Sequence, residues 1–82
     1  MLTWELEAKR ILRAELARAG ISYKTLSVRL SALGIEENEA NLANKIARGK
    51  FSFVLFLQCM KAIGATTVNV NTEIEPSIFE KR

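Results

Sequence analysis

Histidine is absent from these 82 residues, and cysteine, proline, tryptophan and tyrosine each occur once. Without histidine, the side chain best suited to proton transfer and metal ligation near neutral pH is missing. The lone thiol, Cys59, has no base partner, and the glutamates do not cluster with a second ligand type. Nucleophilic catalysis and a metal centre therefore both lack a residue set, and no enzymatic activity is expected. Cys59 also has no second cysteine with which to close a disulfide; set in an apolar run, it should be a buried, inert thiol, which suits a reducing cytoplasm. The four glycines stand singly, so there is no glycine-rich phosphate loop. Long apolar runs are missing as well. The longest, Phe51 to Ile63, contains Gln58 and Lys61 and is too short to span a bilayer. Glu5 and Glu7 interrupt the beginning, where a signal peptide would need its apolar core. A cytoplasmic protein with no cofactor and no membrane segment is expected.

What is present is enough for one small core, since 49% of the residues are hydrophobic. The net charge is +3, and it is uneven: residues 1–65 hold ten basic and six acidic side chains, residues 66–82 two and three. Cations are thus concentrated in the first part of the chain, compatible with nucleic acid but far from a basic arm.

Apolar spacing and cap residues predict four helices in residues 1–65. The first runs from Thr3 to Ala19 and ends at Gly20, with Trp4, Ala8, Ile11, Leu12, Leu16 and Ala19 on one broad side. Glu15 falls near that side, and Lys9, Arg10, Arg13 and Arg18 lie on the other. The second is capped by Ser22, buries Leu26, Leu30 and Leu33, and ends at Gly34. Ser27, small and next to Leu26, stands where a crossing helix can approach. The third starts near Asn38, with Glu36, Glu37 and Glu39 facing the positive end of its dipole, and stops at Arg48-Gly49. The fourth runs from about Phe53 to Ile63, opened by Ser52 and closed by Gly64.

The second and third helices, with a glycine turn between them, outline a helix-turn-helix. On the third, Leu42, Ala43 and Ile46 make a narrow buried side; Glu37, Ala40, Asn41, Asn44 and Arg48 fall opposite, and Lys45 flanks them. Asparagine bonds an adenine edge in bidentate fashion, and arginine or lysine does the same for guanine, so Asn41, Asn44, Lys45 and Arg48 are the candidate base readers. Any soluble helix is also polar opposite its core, and three glutamates near this face repel phosphate.

The run Ser22-Tyr23-Lys24-Thr25-Leu26-Ser27, then Leu30, then Ile46-Ala47-Arg48-Gly49-Lys50, resembles the phage-repressor class of helix-turn-helix, the Cro or XRE-like class. The likeness spans roughly residues 11–65. Within it, LANKIARGKFSFVLFLQCMKAIG also looks like a family of small bacterial proteins of unassigned function. The resemblance implies an all-α, repressor-like domain that binds double-stranded DNA and regulates transcription. It further implies phosphate contacts by Ser22, Tyr23 and Lys24 at the start of the first motif helix and by Arg48 to Lys50 after the second.

The fourth helix holds more apolar residues than one stripe requires. Phe53, Phe56, Leu57, Met60 and Ile63 make a core face, which leaves Val54, Leu55 and Cys59 elsewhere and free to meet the start of helix one or another chain. Beyond Gly64, Thr67 to Asn71 alternates polar and apolar as a half-buried strand does, with no partner strand in the sequence. It is either an extended tail on the helices or an edge pairing with its copy. Val54, Leu55, Cys59, Val68 and Val70 are therefore the expected homodimer surface. From Pro76 onward a loosely held end is expected, with Ile78 and Phe79 as anchors. A sequence-specific DNA-binding homodimer is the expected function. A protein-interaction module of antitoxin-like or adaptor type is the main alternative, and RNA binding a third, for which Tyr23 is the only clear stacking residue.

Overall fold

Each predicted helix forms, and each opens on a side-chain cap. A computed structural model describes residues 3–70. It is all-helical: α1 is Trp4–Ala19, α2 Tyr23–Ala32, α3 Glu39–Arg48 and α4 Phe53–Ile63. Thr3, Ser22, Asn38 and Ser52 accept from the backbone N–H of Leu6, Thr25, Asn41 and Leu55, which satisfies one orphan donor at each helix start. Asn71 and the end anchored by Ile78 and Phe79 lie outside the described residues.

All four helices bury leucine or its equivalent in one cluster: Leu12 and Leu16, Leu26 and Leu30, Leu42 and Ile46, then Leu55, Cys59 and Met60. The predicted side of α3, Leu42, Ala43 and Ile46, holds, while the stripes on α1 and α2 hold at their centres and fail at their ends. Trp4 and Ala19 are exposed, and so is Leu33, which is the C-cap of α2 rather than part of its face. Two glutamates complete the inner side of α1. Glu15, expected near it, is buried and accepts from Arg18 at 2.6 Å; Glu7, also buried, accepts from Arg10 Nε at 2.6 Å. In both pairs the arginine reaches outward, so the carboxylate is buried with its counter-charge kept in water.

On α4 the expected core face is corrected in part. Met60 is buried and Phe56 and Ile63 pack against the core as expected, but Phe53 and Leu57 are 70% and 52% exposed; Leu55 and Cys59 join the core in their place, and Val54 is 62% exposed. Phe53 stacks on Phe56 with ring centroids 6.0 Å apart, and Phe56 in turn packs against the core. An apolar helix offers several stripes, so packing against the other helices, not periodicity, selects which of its residues are buried.

Residues 65–70 form no strand. Ala65, Thr66, Thr67 and Asn69 share a shallow cleft with Glu15, Arg18 and Ala19, and Val70 shares another with Ala8, Ile11, Phe53 and Phe56. The segment thus runs back along α1 toward its beginning, as an extended tail on the helices.

Candidate nucleic-acid interface

Two local devices fix α3, one relative to α2 and one relative to α1. The connection between them, 33–38, is tied down by Ile35 N–H donating to Leu30 O at 2.9 Å and by Ser27 Oγ donating to Glu37 O at 2.6 Å. Ser27 is the small residue expected at a close approach, and it meets the connection rather than a crossing helix. At the other end, Gly49 adopts φ +66°, and a Cβ there would stand 2.0 Å from the carbonyl oxygen of Glu5. Glycine is required at that position both for the left-handed backbone and for the contact with α1.

Leu42 and Ile46 hold α3 in the core, so the opposite face is presented to solvent. Asn41, Asn44 and Arg48 are all exposed along it, at spacings that keep them in one stripe, with Ala40 and Ala47 exposed beside them. Small neighbours let a helix approach a groove closely, and an alanine methyl suits contact with a thymine methyl. Lys45 flanks this stripe and is paired: its Nζ donates to Glu37 Oε2 at 2.6 Å.

The candidate phosphate residues gather less tightly. Ser22, Lys24 and Lys50 are exposed, and Ser22 Oγ already serves as the cap of α2. Tyr23 is half-buried against the core, and its hydroxyl accepts from Arg13 Nε at 3.2 Å. Arg13, Ser22, Tyr23 and Glu39 line one open cleft, which brings α1, the start of α2 and the start of α3 together. Sequence patterning gave no sign of Arg13 as the partner of Tyr23, because no helical spacing relates the two.

The expected dimer surface is not brought together as proposed from sequence. Leu55 and Cys59 are core residues and cannot meet another chain; Val54 and Val70 are exposed, and Val68 is half-buried. Burial, and secondly the charge of Glu37, push the Cys59 thiol from its ordinary 9.0 to about 11. Among the described residues no three histidine, cysteine or acidic side chains group as metal ligands, and no helix is long and apolar enough to cross a membrane.

A small four-helix domain with an outward polar helix is the class this fold defines. The chain belongs to the family described as a domain of unknown function, DUF6471, which matches residues 4–68. No curated protein and no solved structure matches it.

Proposed function

We propose that the protein is a sequence-specific binder of double-stranded DNA that regulates transcription as a homodimer, with α2 and α3 as its helix-turn-helix. The observation that carries this is the outer face of α3, where Asn41, Asn44 and Arg48 stand exposed in one stripe with small alanines beside it. Such a face has base-edge chemistry at a depth a major groove admits. Affinity comes from Lys24, Lys50 and the backbone-facing start of α2, and base choice from Asn41, Asn44, Lys45 and Arg48. The resemblance to the phage-repressor class supports the same assignment. Selection from a random duplex pool with the purified protein tests it: enrichment of one motif is expected, and an unenriched pool argues against it.

Phe53, Val54 and Leu57, exposed together on α4, support a second reading as a protein-interaction module. The two are reconciled if the partner is another copy of the chain. In that arrangement the dimer surface is Phe53, Val54 and Leu57, with Leu55 and Cys59 withdrawn from it.

A further inference from the structure

A carboxylate beside a DNA-reading helix weakens binding to every sequence, and Glu36, Glu37 and Glu39 all stand at the start of α3. One of the three is neutralised. The side chain of Glu37 is only 15% exposed and holds Lys45 Nζ at 2.6 Å, while Lys45 remains 46% exposed. The backbone of Glu37 is tied in turn by Ser27 of α2, whose hydroxyl donates to its carbonyl at 2.6 Å. Two short hydrogen bonds, one to the backbone and one to the side chain of Glu37, therefore link α2 to a cation on the flank of α3.

Lysine is a compact charge on a flexible stem, and unrestrained it meets whichever phosphate is near. Pairing changes both properties. The ammonium is held in place, and its attraction for phosphate is offset by the adjacent carboxylate. Nζ carries three N–H donors, and one is used on Glu37. The others can meet O6 and N7 of a guanine presented in the major groove.

On the DNA-binding reading above, we propose that Glu37 is a specificity-setting positioning residue, which aims Lys45 at a guanine edge and removes it from indiscriminate phosphate contact. Glu37 itself does not touch the DNA. The negative charge near the reading helix then serves discrimination at the expense of affinity.

The test uses the full chain and its variants Glu37→Gln, Lys45→Ala and Ser27→Ala on two duplexes, the motif enriched from the random pool and a scrambled copy, across a salt series. Glu37→Gln should tighten binding to the scrambled duplex, steepen the dependence of log affinity on log salt by about one unit, and reduce the preference for the motif roughly tenfold. Lys45→Ala should reduce the preference without steepening the salt dependence. Ser27→Ala leaves every charge in place and should shift the preference in the same direction as Glu37→Gln, by less. That variant keeps the proposal testable if Glu37→Gln fails to fold. If the wild type prefers the motif and neither Glu37→Gln nor Ser27→Ala alters preference or slope, the role of Glu37 is refuted while DNA binding stands. If the wild type binds both duplexes equally, the DNA reading fails and the role of Glu37 with it.

Discussion

Cys59 is fully buried, between the leucines of α2 and its own helix, and its thiol is pushed up to about 11 by that burial and by the nearby Glu37 charge. At neutral pH it is therefore protonated and shielded, and a thiol reagent should modify it only after denaturant has opened the fold. The same shift has a pH consequence. The neutral thiol is favoured by the folded state, so the folded protein holds a proton between pH 9.0 and about 11 that the unfolded chain has lost. Stability from this group is complete below that window and falls through it as pH rises, by at most about 1.4 kcal/mol per unit. Urea titrations at stepped pH should show this decline in the wild type and a weaker one in Cys59→Ala; parallel declines would contradict it. The apolar run around this thiol marked it as buried, but could not tell burial in the chain's own core from burial in a dimer surface, where Cys59 was also expected; the core holds it. The sequence did not reveal Glu7 as buried, because a carboxylate enters a core only with a partner, and Arg10 supplies one from the solvent side.

Helix ends were legible wherever a capping oxygen preceded an apolar repeat and a glycine closed it, as on α1, α3 and α4. Helix faces were legible where polar and apolar residues alternate clearly, as on α3. On α4 most residues are apolar, so periodicity alone could not choose between the stripe through Phe53 and Leu57 and the stripe through Leu55 and Cys59; packing against α2 decided it. Of the candidate interface, the outward residues of α3 could be read from spacing. The Glu37–Lys45 and Arg13–Tyr23 pairs could not, because they join elements through tertiary placement. The junction between the end of α3 and the start of α1 gives a test at this scale. Gly49→Ala forces a Cβ into the backbone of Glu5, whereas at Gly34 an added Cβ meets nothing within 4 Å. Both substitutions bear the strain of a left-handed backbone, roughly 1–2 kcal/mol. Only Gly49→Ala also displaces a helix, so its loss of stability in urea should exceed that of Gly34→Ala by a clear margin. Equal losses would mean that α1 and α3 are not in contact there.

On the proposed reading, α3 alone would span only a few base pairs, and α4 leaves Phe53, Val54 and Leu57 exposed. Two-fold association through Phe53, Val54 and Leu57 would place two copies of α3 on successive turns of a roughly palindromic site. Sedimentation of the full chain at tens of micromolar should give a dimer. The double variant Val54→Glu, Leu57→Glu alters exposed positions only, so it should sediment as a monomer with unchanged helical content. A wild type that remains monomeric at that concentration would refute the dimer.

Base reading by α3 is the central claim, and Asn44 tests it most directly because it is exposed and remote from the core. The decisive measurement is the affinity of Asn44→Ala and of Lys24→Ala, relative to wild type, for the enriched motif and for its scrambled copy at fixed salt. Asn44→Ala should lose roughly 1–3 kcal/mol on the motif and almost nothing on the scrambled duplex. Lys24→Ala should weaken both duplexes about equally. Equal losses from Asn44→Ala on the two duplexes, or none on either, would contradict the assignment of α3 as a reader of DNA sequence.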